Sequence, residues 1–432
     1  MSSLLSGVFG LIVVLVLLFL SMPVGLTLAL VGFAGFTYLS SLGAAGSIMG
    51  AVIYDNLHGY TLTVIPLFVL MGTVAANSGI GKRLYNTAHK WLGHLPGGLA
   101  ISTIAGCAGF AAISGSSFAT SATMCKLAFP EMERFNYKPA LAAGSIATGG
   151  TLGILIPPSL SFVLYGLITG ESIGKLFLAG IIPGIIHATL YIVVIFAWAR
   201  IDPSVGPPGP AVKLREKFLS LSGSLETALL FFLVLGGLFF GFFTPTEAGA
   251  VGAAGSLLIS WSRRMITKEH FVDSLIESVR ISAMVIILIL GAMIFAKFIT
   301  LSHLPTELAN WIASLALPPV AVVAVMLLSY IVLGCIMDTL AMIILTVPIY
   351  LPVITALGYD PIWFGVAIVV MMEIGMITPP MGVNVWIISG MIKHVPMETI
   401  FKGVLVFLIA DITLVIILLV FPQIALFIPR LM

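Results

Sequence analysis

The sequence predicts an all-α polytopic membrane protein built as two inverted repeats, each with a re-entrant helical hairpin and a broken transmembrane helix. Three observations lead there. Of 432 residues, 60% are hydrophobic and only 8% charged, where a soluble domain carries about 25% charged residues. Apolar runs of about 20 residues, enough to cross a bilayer, recur along the whole chain. And the chain resembles itself when shifted by 222 residues, with a Pro-Pro pair in mid-span in each copy.

The spans follow in order at 5–21, 24–41, 61–77, 138–170 and 178–200, then 225–243, 245–261, 281–300, 361–391 and 403–428. The first has no Lys or Arg before its apolar core, so it reads as a retained span rather than a signal peptide. Two stretches, 98–130 and 318–356, are too long for one crossing and are split by ISGSS (113–117) and GCIMDT (334–339). They are expected to be hairpins that enter and leave on one side. Segments 80–92, 265–280 and 395–402 mix charge with apolar residues and read as interfacial. The linker IDPSVGPPGPAVKLREKF (201–218) divides a first repeat, 1–200, from a second, 219–432.

Charge orients this layout. With both termini periplasmic, 16 of the 19 Lys and Arg fall on the cytoplasmic side, leaving Lys175, Lys297 and Arg430 outside, as the positive-inside rule requires. Three cysteines without a CxxC pair argue against a disulfide framework or metal cluster. The seven histidines show no ligand spacing. Nothing in the charge pattern suggests a nucleic-acid partner.

The 222-residue shift places Pro23 on Pro245, Pro130 on Pro352, Pro139 on Pro361, and Pro157–Pro158 on Pro379–Pro380. It also places FNYKP (135–139) on LGYDP (357–361), and Ser116 and Ser117 on Asp338 and Thr339. Five crossings per half is an odd number, so the second copy must be upside down, the build of many secondary transporters.

Each Pro-Pro pair interrupts a helix, because proline lacks an N–H and its ring clashes with the preceding turn. The break frees carbonyls on one side and N–H groups on the other. In lipid these are tolerated only where they face protein, water or a ligand. Carbonyl and hydroxyl oxygens suit a hard cation such as Na⁺, and a half-helix N-terminus suits an anionic group.

The first-half candidates for a Na⁺ site are Ser114, Ser116, Ser117, Thr148, Thr151 and Gly153, with Thr120 beside them. The second-half candidates are Asp338, Thr339, Gly375 and Thr378. Ser159, Ser161, Met381 and Asn384, just past the breaks, are the candidates for the anion. The alternative for each hydroxyl is a hydrogen bond back to its own helix. Intramembrane carboxylates default to functional hypotheses, which favours Asp338 at a hairpin tip. Glu373 could bind an ion, take up a proton or pair inside the bundle. Glu247, in FTPTEAGA, reads as a helix-start residue.

At these residues the chain resembles the large membrane (M) subunit of the tripartite ATP-independent periplasmic (TRAP) transporters, of the DctM/SiaM kind within the ion-transporter superfamily. The resemblance spans the chain through GFAAISGSSFAT (109–120), PEMERFNYKPALAAG (130–144), TGGTLGILIPPS (148–159), FTPTEAGA (243–250), GCIMDTLAMIILTVPIYLP (334–352), LGYDPIWFG (357–365) and EIGMITPPMGVNVW (373–386). It implies a bacterial inner-membrane permease, not an enzyme, that takes up an organic acid such as a C4-dicarboxylate or sialic acid with Na⁺ as coupling ion and no organic cofactor. It implies two partners, a small four-helix membrane (Q) subunit and a periplasmic substrate-binding protein, and an elevator mechanism in which hairpins and broken helices slide together. The ion-site role then falls on Ser116, Ser117, Asp338 and Thr339. No GxxxxGK[ST] phosphate loop is present. The alternative is a stand-alone Na⁺/anion symporter of the same superfamily, working without a binding protein.

Overall fold

A computed structural model describes residues 2–314, 317–335 and 337–432. Every regular element among them is helical. The first half runs α1 (Ser3–Phe19), α2 (Val24–Leu39), α3 (Leu42–His58), α4 (Val64–Asn77), α5 (Ile80–Leu92), α6 (Gly98–Ser114), α7 (Ser117–Arg134), α8 (Pro139–Leu155), α9 (Leu160–Thr169) and α10 (Ile173–Ile201). The second runs α11 (Leu214–Phe239), α12 (Pro245–Ser262), α13 (Lys268–Leu301), α14 (Leu304–Ser314), α15 (Pro319–Gly334), α16 (Thr339–Ala356), α17 (Pro361–Ile377), α18 (Val383–Met391), α19 (Met397–Val420) and the short α20 (Gln423–Leu426). Seven helical segments among the described residues are long and apolar enough to cross a membrane.

Several boundaries differ from the sequence reading. The segments 265–280 and 281–300 form one 34-residue helix, α13. Charge at its start suggests a separate surface helix, yet nothing in KEHFVDSLIESVRISAM breaks a helix. The segment 395–402 likewise runs into α19 from Met397, and α11 begins at Leu214, inside the expected linker. Helix α3 has no counterpart among the expected spans, because its Gly- and Ala-rich sequence shows no continuous apolar run. Ile336, in the expected tip 334–339, lies outside the described residues.

Matched prolines take matched places. Pro139 and Pro361 each open a helix at its first turn, where the missing N–H costs nothing. Pro130 and Pro352 lie inside α7 and α16. The two Pro-Pro pairs interrupt α8/α9 and α17/α18, and both are cis. Glu247 completes a capping box with Thr244 at the start of α12, its carboxylate accepting from the Thr244 N–H at 2.8 Å.

The core centres on α8 and α17. Leu141 to Leu155 and Ile362 to Ile377 are buried without exception, as expected of helices apolar on every side. Around them pack α6, α7, α10, α16 and α19, while α2 and α4 pack along α13, and α12 along α4. The amphipathic α5 spends its polar face on α11: Arg83 pairs with Glu226 at 3.0 Å, and Trp91 Nε1 donates to the Lys217 carbonyl at 3.0 Å. The linker docks back on the first half, with Lys138 N donating to the Val205 carbonyl at 3.0 Å and Gly97 N to that of Gly206 at 2.9 Å. Lys138 Nζ beside Asp202, at 2.7 Å, holds that carboxyl down at about 2.

Candidate functional site

Each hairpin tip meets the helix break of its own half. In the first half the chain turns at Gly115, φ +61°, a backbone shape that glycine adopts without strain. Ser116 then caps α7, its Oγ accepting from Ala119 N at 3.3 Å. The tip lies on the break: Leu160 N donates to the Gly115 carbonyl at 3.5 Å. Gly153 sits so close beneath it that a Cβ there would fall 2.5 Å from the Ser116 carbonyl oxygen. In the second half Asp338 holds the corresponding place, as N-cap residue of α16. A Cβ on Gly375 would meet the Gly334 backbone at 2.9 Å, and Cys335 Sγ donates to the Pro379 carbonyl at 3.4 Å.

The halves also meet each other. Asn384, buried at the start of α18, accepts from Ser117 Oγ at 3.0 Å and donates through Nδ2 to the Ala147 carbonyl of α8 at 3.2 Å. One side chain thereby ties the second break to the first hairpin and the first broken helix. Between the two tips lies a cavity of about 380 Å³. Ser114, Ser116, Ser117 and Ser161 line it from the first half, Asp338, Thr339 and Met376 from the second, and Thr73 of α4 and Glu277 of α13 across from them.

The remaining candidates sort by what their side chains already do. Thr148 Oγ1 donates to the Gly144 carbonyl at 2.8 Å, Thr151 Oγ1 to that of Thr148 at 2.7 Å, and Thr378 Oγ1 to that of Ile374 at 2.5 Å. These bonds occupy the hydroxyl protons and leave oxygen lone pairs free. Ser114 and Thr120 share a hydrogen bond at 2.9 Å. Thr339 Oγ1 donates to Met376 Sδ at 2.9 Å, and Ser159 Oγ turns back to the Ile154 carbonyl at 2.5 Å. Ser161 differs: 1% exposed, it has no hydrogen-bond partner for its hydroxyl among the described residues. Met381 is 56% exposed and stands outside the cavity.

Glu373 does not reach the cavity. It lies 2.9 Å from His187 Nδ1 of α10, whose Nε2 is 2.7 Å from Asp411 Oδ1 of α19. Tyr191 OH donates to the same Asp411 oxygen at 2.5 Å. All four residues are fully buried. The sequence reading singles out Glu373 alone. His187 and Asp411 each sit within an apolar run, and the default that an intramembrane ionisable residue marks a functional or pairing position would flag both. The cluster joins α10, α17 and α19 through these buried polar contacts.

The fold is that of a multi-pass membrane transporter. The solved YdaH transporter of Alcanivorax borkumensis superposes with a TM-score of 0.58 over 90% of this chain and 88% of that one, at 15% sequence identity. Residues 11–424 match the family "Tripartite ATP-independent periplasmic transporter, DctM component", and the chain belongs to that family. The C4-dicarboxylate TRAP transporter large permease DctM of Pseudomonas aeruginosa is 37% identical over 88% of each chain. The sialic acid TRAP transporter large permease SiaM of Vibrio cholerae is 33% identical over 96% of each. This protein is therefore a large permease component and not an enzyme.

Proposed function

We propose that this permease couples the inward movement of Na⁺ to uptake of an organic-acid anion across a bacterial inner membrane. It works with a small four-helix membrane subunit and a periplasmic binding protein that delivers the substrate. The single observation that carries this reading is the cavity between the two hairpin tips. Its polar lining is hydroxyls and carboxylates, Ser114, Ser116, Ser117, Ser161, Thr73, Thr339, Asp338 and Glu277. Hard oxygens of this kind suit an alkali cation.

Among the described residues no Lys or Arg lines the cavity, so the anion would be held by hydroxyls and by N–H groups at the half-helix starts. Ser161, one residue into α9 with its hydroxyl unpartnered, is the best placed of these. The names of the relatives favour a carboxylic acid, C4-dicarboxylate for one and sialic acid for another. The matched places of the prolines support two inverted repeats, the Lys and Arg distribution supports periplasmic termini, and the hairpin-and-break pairs support their moving as one body.

The test is uptake into proteoliposomes holding this chain, its small subunit and its binding protein. An inward Na⁺ gradient should drive accumulation, and dissipating that gradient should abolish it. Uptake indifferent to the gradient defeats the reading. Uptake by this chain alone would instead establish the stand-alone symporter. Asp338→Asn should raise the Na⁺ requirement.

A further inference from the structure

One charge in the cavity comes from outside the hairpins and breaks. Glu277 lies on α13, and with Ile281 and Met284 it forms an i, i+4, i+7 stripe that faces the two tips. Beside it Val69, Thr73 and Ala76 of α4 add a second stripe to the same wall. The two helices are pinned beside Glu277 by the Thr73 Oγ1–Ser278 Oγ hydrogen bond at 2.7 Å, and Asn77 Nδ2 donates to Ser274 Oγ at 3.0 Å. Glu277 is itself exposed, so its carboxylate stands at the rim of the cavity, carried by a fixed pair of helices. Among the described residues it makes no ion pair or hydrogen bond.

The charge count of the cavity follows. Its lining, among the described residues, holds two carboxylates, Asp338 and Glu277, and no Lys, Arg or His. A concave site lined by one sign of charge, with apolar walls to focus the field, concentrates counter-ions and disfavours an anion until those counter-ions are bound. A second feature points to a ligand in the same space: the buried, unpartnered hydroxyl of Ser161.

We propose that Glu277 is a cation-selecting residue of the transport cavity, drawing Na⁺ to the hairpin tips from the opposite wall. This inference rests on the Na⁺-coupled reading above. It adds a residue that neither the internal repeat nor the broken helices would identify. Glu277 acts through the field rather than as a ligand, so its effect must fade as salt screens it, with a Debye length of about 10 Å at 0.1 M falling to about 3 Å at 1 M. A contact ligand would show no such fading.

The experiment measures Na⁺ activation of uptake by the reconstituted three-component transporter at low ionic strength and again in high choline chloride. One unit charge across a cavity of this kind changes cation affinity by about two- to tenfold at effective dielectric constants between those of protein and water. Glu277→Gln should raise the half-activating Na⁺ concentration by that factor at low ionic strength, and the gap should close in choline chloride. Glu277→Asp should restore most of the loss. Glu269→Gln, which removes a charge from the same helix but outside the cavity, should leave the value unmoved.

An unchanged half-activating concentration in Glu277→Gln, or an equal shift in Glu269→Gln, overturns the inference. Calorimetric titration of the purified transporter with NaCl separates this failure from that of the underlying reading. No Na⁺ binding by the wild-type protein refutes the coupling, whereas equal Na⁺ binding by wild type and Glu277→Gln refutes only the role of Glu277.

Discussion

The two Pro-Pro breaks, GILIPPS and GMITPPM, share their glycine and both prolines, yet they sit in opposite surroundings. In the first, Ile156 through Ser159 are all buried; in the second, Pro379, Pro380 and Met381 are exposed. The difference lies in what covers them. Helix α10 runs over the first break, with Gly184 against Ile156 and Gly180 against the Leu155 carbonyl, and the tip at Gly115 closes down on Pro158. The second is met from its own tip by Cys335, through the Pro379 carbonyl, and stays open beyond that contact. Irregular backbone is not tolerated facing lipid, so the exposed break faces water or another subunit. A motif therefore fixes where a helix ends, and the neighbouring helices decide whether that end is structural or accessible.

The sharpest way to break this contrast is at the charge cluster that joins the halves. Among the described residues His187 of α10 is the base that Glu373 and Asp411 share. Removing one partner of a buried ionic group strands the rest, at a cost of about 3–5 kcal/mol. His187→Ala should therefore lower the thermal unfolding midpoint more than a substitution at either break. Adding Glu373→Gln and Asp411→Asn should recover part of the loss. A midpoint that does not move in His187→Ala would show that the cluster does not bind α10 to the second half.

Next come the glycines under the tips. Gly153→Ala puts a Cβ 2.5 Å from a backbone oxygen in the buried half, where nothing can give, and should cost about 3 kcal/mol, the upper end for overpacking. Gly375→Ala meets backbone at 2.9 Å beside an exposed break that has room to shift, and should cost about 1 kcal/mol. Uptake rates and unfolding midpoints of the pair would check the ranking. Equal losses would mean that the second tip is as confined as the first.

Within the second break alone, Asn384→Ala and Met381→Ala probe the buried and the exposed positions. Losing Asn384 leaves Ser117 Oγ without its partner in the core and removes a second bond to the Ala147 carbonyl, about 2 kcal/mol. Losing the exposed Met381 side chain should leave the unfolding midpoint in place. Parallel midpoints for the two variants would contradict the division.

How much of this is legible in the sequence follows from range. Helix ends set by prolines and glycines are local, so the interruptions at 157–158 and 379–380 and the tips near Gly115 and Asp338 can be read residue by residue. The 222-residue shift predicts that Ser116 and Asp338 hold equivalent places, and each occupies the N-cap position of the second helix of its hairpin. What cannot be read depends on packing at long range. Asn384 stands out for its position past a break, but its bonds to Ser117 and Ala147 cross more than 230 residues of sequence. His187 and Asp411 pair across 224 residues. Glu277 is hidden for another reason: its surroundings suggest a surface helix, and only the continuity of α13 carries it to the cavity.

The last test does not read stability and asks only which break can be reached. Cysteine is placed at 381 or at 156, with Cys335 replaced by serine because it is only partly buried, whereas Cys107 and Cys125 are buried. A water-soluble maleimide should modify Met381→Cys at least tenfold faster than Ile156→Cys, since the first position is 56% exposed and the second 9%. Comparable rates would put both breaks in the same environment and remove the asymmetry. If Met381→Cys reacts fast in the isolated permease, repeating the reaction with the small subunit and then with NaCl assigns the exposed face. Protection by the subunit marks a partner surface, and protection by NaCl marks closure of the second tip over its break.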